Sequence, residues 1–474
     1  MAKIAVIGGG VAGATASLYL SQIGLDVTLF EEKPSLVSGP PFCHLHAGGN
    51  LYREISDEQC ITLLKESIDL LRFYPNSIDY RPTVIAIPLE DNGKPEDLIP
   101  RLNILTKEYQ TLIDEDIKNE VLGKSEDYFK IFSKEKIENL KKLNNAESPI
   151  SLDEWMIPVA KNLDLETIKF PLIMVQEYGL NLFRLASEVS LSLQHLENCK
   201  LLLNTKVTNI IKIDNNSYNI EYLNDNKNHT AKFDYIINAA GYKSGVIDDF
   251  LGFKRQRFVE FKAAYVTKWE DCDTTWPEVI FHGTRGTPNG MGQFTPYPNG
   301  HFQLHGMTES ITLFDKGLVK SCNKSAQPKL DKLFTNKIDN KWDEKDYIKR
   351  SKLAINHLAK FIPAFTNAKV SSKPLYGAQQ IPGTNKELRA ADVSFEDDRY
   401  VRCEVVKASS VLNMIDNIVK KLIQLGYTKN SNYKKRDFKN ITLTTIQIDK
   451  ISKQICKNRD YPISLGLINT NKKG

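Results

Sequence analysis

The distribution of apolar and polar residues over the first thirty positions predicts a strand, a helix and a second strand. Residues 3–7 form a short apolar run, which indicates a buried strand. Residues 14–23 combine small residues with a few large apolar ones and predict a helix that ends at Gly24. Residues 27–30 form a second apolar run. The order strand, helix, strand is typical of the first unit of a parallel α/β sheet.

A second group of patterns lies between residues 171 and 252. Apolar residues recur at helical spacing over 182–196, and residues 200–213 and 217–223 then predict two strands. The Asp-Asn-Asn run between them is typical of a turn, because these short side chains bond to their own backbone. Residues 233–241 predict a buried strand that ends in small residues.

A third group lies between residues 399 and 426. Residues 400–406 predict a strand. The apolar residues of 411–425 fall on one face of a helix, which opens near Lys407-Ala408-Ser409-Ser410 and ends at Gly426.

The stretches between these groups predict a second region of mixed structure. Ser56 and Ser151 are each followed three residues later by Gln or Glu, the pattern that caps the start of a helix. The charged residues 104–147 predict solvated helices. Three further runs predict antiparallel strands of a sheet: 258–268, 278–282 and 301–307.

The turn after the first strand carries the first chemical motif. Its sequence, Gly8-Gly9-Gly10-Val11-Ala12-Gly13, satisfies G-x-G-x-x-G between a strand and a helix. In such a turn Gly8 permits the tight bend, Gly10 lets the backbone approach a pyrophosphate, and Gly13 lets the helix lie against the strand. The N–H groups and the positive dipole end at Val11 and Ala12 suit phosphates. The motif therefore predicts a dinucleotide site.

An acid follows where this fold needs one. Glu31, with Glu32 beside it, stands at the end of the second strand, about 20 residues beyond the glycines. We expect Glu31 to accept hydrogen bonds from the ribose hydroxyls and to disfavour a 2′-phosphate, which argues against NADP. We call the turn formed by residues 8–13 the clasp. The chain carries no second G-x-G-x-x-G clasp that would bind a nicotinamide nucleotide, and this favours FAD.

We therefore predict an α/β protein with a Rossmann-like FAD-binding domain assembled from discontinuous segments and a second, mixed-sheet α+β substrate domain. The predicted boundaries are 1–55, 171–252 and 370–426 for the FAD-binding domain, 56–170 and 253–369 for the substrate or cap domain, and 427–474 for a basic C-terminal extension.

Together the three groups resemble the D-amino-acid-oxidase superfamily of flavoproteins, which has the glutathione-reductase type of fold. The segment from Glu404 to Ser410 also looks somewhat like the flavin-edge segment of malate:quinone oxidoreductases. The resemblance implies FAD as cofactor and an oxidoreductase activity. It also implies that Val207 contacts the adenine through its backbone, and that Ala240 and Gly241 let the chain pass close to the dinucleotide.

The segment that passes under the flavin ring departs from the family pattern. It carries His44 and the run His46-Ala47-Gly48-Gly49. Some amine dehydrogenases attach flavin through a histidine near this place, but that register falls on Leu45 here, so we expect non-covalent FAD. An Arg-Pro pair found in many oxidases is missing after Pro374, which weakens the assignment to amino-acid oxidases.

Three residues are the catalytic candidates. Lys407, with Ser409 and Ser410 at the start of the last helix, is placed to stabilise the anionic reduced flavin. Arg285 is the candidate for binding a substrate carboxylate, because a guanidinium does so with two parallel bonds. His305 is the candidate proton acceptor.

Composition narrows the setting. The net charge is only +5 and the basic residues are scattered, so no nucleic-acid partner is indicated. The seven cysteines stand apart without metal-ligand spacing, which predicts no metal site and a reducing cytoplasm. We expect no transmembrane segment; the basic tail is either solvated or in contact with an anionic membrane surface. The oligomeric state is left open.

The function that follows is hydride removal from a small amine, amino acid or 2-hydroxy acid, with electrons passed to oxygen, a quinone or a carrier. Two alternatives stay open. One is a flavin monooxygenase-like or halogenase-like enzyme, although the Gly-Asp-Ala segment expected near Cys403 is missing. The other is a non-catalytic flavin-binding protein.

Overall fold

The structure is a computed structural model that describes residues 2–42, 45, 55–214, 217–339, 341–388, 391–429 and 441–468. In chain order the strands are β1 (Lys3–Ile7), β2 (Asp26–Phe30), β3 (Ile78–Asp79), β4 (Thr83–Pro88), β5 (Phe129–Phe132), β6 (Ile168–Val175), β7 (Gly179–Leu180), β8 (Cys199–Leu202), β9 (Thr205–Asp214), β10 (Ser217–Asn224), β11 (Lys227–Phe233), β12 (Tyr235–Asn238), β13 (Arg257–Lys268), β14 (Glu278–Phe281), β15 (Gly292–Tyr297), β16 (His301–Gly306), β17 (Leu318–Lys320), β18 (Lys369–Val370), β19 (Leu375–Pro382), β20 (Val393–Asp397) and β21 (Tyr400–Cys403). The helices are α1 (Val11–Gln22), α2 (Asp57–Phe73), α3 (Ile99–Glu115), α4 (Lys134–Leu140), α5 (Leu152–Asn162), α6 (Leu182–Gln194), α7 (Ser244–Phe250), α8 (Lys332–Asp339), α9 (Glu344–Ala359), α10 (Val411–Gln424) and α11 (Thr445–Asn458).

The first region of the fold contains a six-stranded sheet with the strand order β20-β21-β12-β1-β2-β8. All neighbours are parallel except β20, which runs antiparallel at the edge. Ile4 and Val6 of β1 join a core with α1, α6 and α10, whereas Ala5 and Ile7 join a second core under the β9-β10-β11 meander. Because both faces are covered, β1 is an unbroken apolar run.

A ten-stranded mixed sheet forms the second region. Its path is β17-β13-β16-β15-β14-β4-β6-β5, and β18 and β19 also pair with β13. One face carries Phe261, Phe294 and Leu304, which pack with apolar residues of α5 and α9. The opposite face turns toward the six-stranded sheet and carries the polar residues of the candidate site.

A buried charged network joins the two sheets. Asp248 of α7 accepts hydrogen bonds from Tyr400 Oη (2.7 Å) and Arg402 Nε (2.6 Å) of β21. It also accepts one from Arg257, the first residue of β13. The carboxylate, both guanidinium groups and the phenol are almost fully buried. Loss of Asp248 would leave two buried cations without their shared partner, which is strongly destabilising.

The predicted fold class is confirmed, whereas several element boundaries differ. The strand expected over 200–213 is two strands, because Asn204 has a positive φ of 50° between β8 and β9. Strands β11 and β15 were not predicted, and β5 lies inside the stretch expected to be helical. Residues of β6 and β19, assigned from the sequence to the FAD-binding domain, pair in the ten-stranded sheet. The domain boundaries themselves stay a prediction.

The C-terminal extension is not only a solvated tail. Within residues 441–468, α11 packs on α6, and Cys456 and Leu465 are buried in the same core as α1. The basic positions 434–436 and 472–473 lie outside the described residues. Among the described residues, no helix is long and apolar enough to cross a membrane.

Candidate functional site

The glycine turn between β1 and α1 is shaped by two close approaches. Gly8 has φ of +103°, which favours glycine, and a Cβ there would lie 2.5 Å from the Ala239 carbonyl oxygen. A Cβ on Gly13 would lie 1.9 Å from the Gly8 carbonyl oxygen. The chain that follows β12, at Ala239 and Ala240, therefore packs directly on the turn. The approach of Ala240 to the dinucleotide stays a prediction.

The N-terminus of α1 is open on the side where a phosphate is expected. Gly10 is the N-cap, no side-chain cap hydrogen bond is present, and the first turn holds no acidic residue. A Cβ on Gly10 would meet no described atom within 4 Å. The backbone N–H groups of the first helical turn, at Val11 and Ala12, have no intrahelical acceptor, which suits an anionic group. This part of the chain fits the pyrophosphate of FAD.

Glu31 is buried at the end of β2, 8% exposed. Its carboxylate accepts hydrogen bonds from the backbone N–H of Gly9 (2.6 Å) and of Lys33 (2.7 Å). Burial raises the pKa of Glu31 above its ordinary value, although these two backbone bonds act in the opposite direction. Each carboxylate oxygen still has a lone pair that can accept a hydrogen bond from a ribose hydroxyl. Binding of the ribose by Glu31 stays a prediction. Sequence reasoning missed that Glu31 also shapes the turn.

Three further residues were predicted at the adenosine half: Val207, Gly241 and Glu32. Val207 lies on β9, opposite Tyr222, and its side chain is buried in the core beneath the meander. Gly241, with φ of +58°, begins the turn that follows β12. Glu32 forms an ion pair with Lys243 of the same turn at 2.7 Å. The contact of Val207 with adenine stays a prediction.

The start of α10 is anchored from two directions. Gln379 of β19 donates a hydrogen bond to the Val406 carbonyl oxygen (2.6 Å), and Ser410 Oγ donates to Glu66 of α2 (2.7 Å). Burial raises the pKa of Glu66. Ser409 Oγ is buried and has no hydrogen-bond partner among the described residues. Such an unpaired hydroxyl, two residues from Lys407, fits a site that binds a polar ligand group.

The polar face of the ten-stranded sheet, which we call the roof, comprises Glu260, Lys262, Gln293, Gln303 and His305. These residues alternate with the apolar residues of the opposite face, because successive side chains of a strand point to opposite faces.

The roof lies against the segment that enters the flavin-ring region. Gln303 donates a hydrogen bond to the Phe42 carbonyl oxygen (2.8 Å). Gly377, opposite Lys262 in the sheet, lies so close to Pro40 that a Cβ would be 3.1 Å from its Cα. Residues 43, 44 and 46–54, which include His44, His46, Ala47, Gly48, Gly49 and Arg53, lie outside the described residues.

Arg285 and His305, both predicted from the sequence, lie near the same carboxylate, that of Glu260, whose charge also acts on His305. Glu260 forms ion pairs with Arg285 (2.7 Å) and Lys262 (2.6 Å). Burial would raise the pKa of Glu260, but the two cations outweigh it and hold that pKa below the ordinary value. Lys262 and Glu260 were not identified from the sequence, because only the pairing of β13 with its neighbours places them beside Arg285.

The protonation state of His305 is fixed by its surroundings. Nδ1 lies 3.1 Å from the Ala263 carbonyl oxygen, so this nitrogen carries the proton in the neutral ring. Burial lowers the pKa of His305 to about 4, and the charges of Lys262 and Arg285 act in the same direction. At neutral pH the ring is therefore uncharged, with Nε2 able to accept a proton.

A second buried polar cluster continues the roof toward β4. Glu278 of β14 accepts hydrogen bonds from Arg81 Nη2 (2.8 Å) and from Gln293 Nε2 (2.5 Å). Asp79 forms ion pairs with Arg81 (3.4 Å) and with Arg184. Glycine suits position 179, because a Cβ there would lie 1.7 Å from Arg81 Nη1 and the guanidinium would have to move. No sequence pattern indicated this cluster, since its members come from four separate segments.

Comparison with known proteins agrees with this geometry. Residues 3–126 match the family described as DAO: FAD dependent oxidoreductase. No curated protein sequence matches the chain. L-proline dehydrogenase from P. horikoshii is 17% identical, with a TM-score of 0.55 over 91% of this chain and 95% of that chain.

Two further solved structures have the same fold. Glycine oxidase from Geobacillus kaustophilus is 12% identical, with a TM-score of 0.57 over 93% of this chain and 100% of that chain. L-α-glycerophosphate oxidase from Mycoplasma pneumoniae, with FAD bound, is 16% identical, with a TM-score of 0.54 over 89% of this chain and 95% of that chain. At these identities the likeness shows the fold alone.

Proposed function

We propose, on the premise that the chain contains a DAO-family FAD-dependent oxidoreductase domain, that the enzyme oxidises a small amino acid or 2-hydroxy acid bound between the flavin and the roof. The observation that carries the proposal is the group that Arg285 forms with Lys262, Glu260 and His305 of the roof. FAD, when bound, accepts the hydride that leaves the substrate carbon.

The two cations provide the anchor for a carboxylate. Arg285 and Lys262 share one carboxylate partner, Glu260, so the group carries one net positive charge while His305 is neutral. A substrate carboxylate would complete the pairing of the cations. A substrate ammonium would in turn find Glu260. A hydroxy acid would offer its carboxylate to the same cations but no cation to Glu260. The separate pairing of both substrate charges, rather than the net charge of the group, therefore favours a zwitterionic amino acid.

His305 is the proposed proton acceptor. Its Nδ1–H is held by the Ala263 carbonyl, which leaves Nε2 for the substrate amine or hydroxyl proton. Its low pKa makes it a weak base in the free protein. Binding of a carboxylate beside Lys262 and Arg285 offsets two of the charges that lower this pKa, so the base strengthens when substrate is present.

Solved structures of this fold are named for different substrates. By their names, neighbours act on L-proline, glycine or L-α-glycerophosphate. Oxygen, a quinone or a carrier then takes the electrons from the reduced flavin.

The test is anaerobic bleaching of the flavin absorbance with a panel of amino acids, amines and 2-hydroxy acids. We expect at least one amino acid to bleach the flavin, and the corresponding 2-hydroxy acid to do so more slowly. Retention of full flavin colour with every donor would support a non-catalytic flavin protein instead. Bleaching only by amines that lack a carboxylate would contradict the anchor.

A further inference from the structure

The C-terminal segment after α11 is part of the dinucleotide-binding region. Ser452 Oγ donates a hydrogen bond to the Gly466 carbonyl oxygen (2.7 Å), which folds residues 463–466 back on the helix. Asn181, the N-cap of α6, donates to the Leu465 carbonyl oxygen (2.8 Å). Tyr461 Oη donates to the Pro374 carbonyl oxygen (2.7 Å). The segment is thus tied to both α6 and the chain leading into β19.

Arg459 reaches from this segment to the loop that follows β2. Its Nη1 and Nη2 donate to the carbonyl oxygens of Val37 (3.0 Å) and Leu36 (2.5 Å). Its Nε and Nη2 also donate to Ser35 Oγ (3.2 and 2.9 Å). Burial lowers the pKa of Arg459 to about 10, so the guanidinium stays charged at neutral pH. A partly buried cation with this many neutral acceptors holds the loop in place.

The loop in turn contacts the glycine clasp. The Val37 N–H donates to the Gly9 carbonyl oxygen (2.9 Å). Leu36 Cδ2 lies where it would be 2.5 Å from a Cβ on Gly9. The Gly9 N–H donates a hydrogen bond to Glu31. The loop, the clasp and the carboxylate predicted to bind the ribose are therefore connected through Gly9.

The backbone of Val37 is held in the left-handed region of φ. Its φ is +51°, which is rare and strained for a β-branched residue. Arg459 bonds the carbonyl of Val37 and that of Leu36 before it. The guanidinium therefore holds the loop at the point where the backbone is most strained.

We infer that Arg459 is a positioning residue for FAD: it pins residues 35–37 against Gly9 and so keeps the clasp in the shape that accepts the ADP half. Without this guanidinium, Val37 relaxes, Leu36 withdraws from Gly9, and the free apoprotein must reorder the loop each time FAD binds. The C-terminal segment thereby becomes a determinant of cofactor affinity. The inference depends on FAD binding and not on the proposed substrate, so the two fail separately.

The test measures the Kd of the apoprotein for FAD and for ADP alone, by quenching of flavin fluorescence and by calorimetry. Arg459→Met should raise both Kd values by roughly 10- to 100-fold, because several charge-assisted hydrogen bonds no longer hold the loop. Arg459→Lys, which keeps the charge but loses the fork, should give an intermediate rise. Lys457→Met is the matched control, since Lys457 is an exposed basic residue of the same helix.

A second-site change separates positioning from general stability. Glycine adopts the φ of Val37 without strain. In a Val37→Gly background, the Arg459→Met change should therefore raise the Kd for ADP by a clearly smaller factor than in the wild type. Equal factors in the two backgrounds, or an unchanged Kd for ADP in Arg459→Met, would overturn the inference. If Arg459→Met does not fold, Arg459→Lys decides the same comparison.

Discussion

Substitution by alanine should have different effects at two glycines of the clasp: at Gly13 it should lower the stability of the protein, and at Gly10 it should weaken FAD binding. In Gly13→Ala, the new Cβ would lie 1.9 Å from the Gly8 carbonyl oxygen, where ordinary contact begins at 3.4 Å. Helix α1 must then shift by roughly 1.5 Å, the difference between these two distances. Overpacking of this kind costs about 1–3 kcal/mol. The apoprotein should lose stability, with a Tm lower by several degrees.

In Gly10→Ala, the new Cβ meets no described atom within 4 Å. The apoprotein should therefore keep its Tm, while FAD binding weakens, because the methyl group occupies the space where the pyrophosphate approaches. Loss of one or two charged hydrogen bonds corresponds to a rise in Kd of roughly 10- to 1,000-fold.

The assay pairs thermal unfolding of the apoprotein with a titration of FAD for each variant. The reasoning is refuted if Gly10→Ala binds FAD as tightly as the wild type, because the phosphates would then lie elsewhere. It is equally refuted if Gly10→Ala lowers the Tm as much as Gly13→Ala does, since the space beside Gly10 would not be open.

Three further predictions concern the cofactor and the roof. Acid treatment of the purified protein should release FAD and not FMN, and the denatured chain should keep its unmodified mass; recovery of FMN alone, or a mass increase equal to FAD, would contradict the clasp or the non-covalent assignment. Arg285→Ala should raise KM for a donor roughly 10- to 100-fold with FAD still bound. His195→Ala, at an exposed histidine, is the control and should leave KM unchanged. An unchanged KM in Arg285→Ala would show that the substrate carboxylate binds elsewhere. Because His305 acts as a base only when neutral, kcat/KM should fall as the pH drops through about 4. The corresponding fall in kcat should begin at a higher pH, because bound substrate raises the pKa of His305. His305→Asn should abolish this acid-side fall in rate, and a fall that persists in the variant would assign the base to another residue.

The linkage of His305 to stability has a definite sign. Its folded-state pKa of about 4 lies below the ordinary value of 6.5, so folding favours the neutral ring. The resulting stabilisation is complete above pH 6.5 and is lost progressively as pH falls toward 4. His305→Asn should therefore flatten the dependence of unfolding free energy on pH within this window.

The clasp was determined by the sequence alone, for a local reason. A turn that needs φ of +103° at Gly8 and no side chain at Gly13 can be met only by glycine at that spacing, and the strand and helix on either side follow from periodicity within a few residues. The fold class followed from the same local patterns. The sequence also supplied Arg285 and His305 as candidates, because charged and titratable residues near predicted strand ends are few.

Tertiary structure alone decided what surrounds these residues. Glu260 and Lys262 became neighbours of Arg285 and His305 only when β13 paired with β16, across about forty residues of chain. The β6 and β19 strands joined the larger sheet because their registers match β4 and β13, which no local pattern records. Arg459 lies 424 positions from Ser35, and its role emerged only from the folding of the C-terminal segment onto the clasp. Local conformation is encoded within a few residues, whereas the chemistry of a buried group depends on partners brought from distant segments.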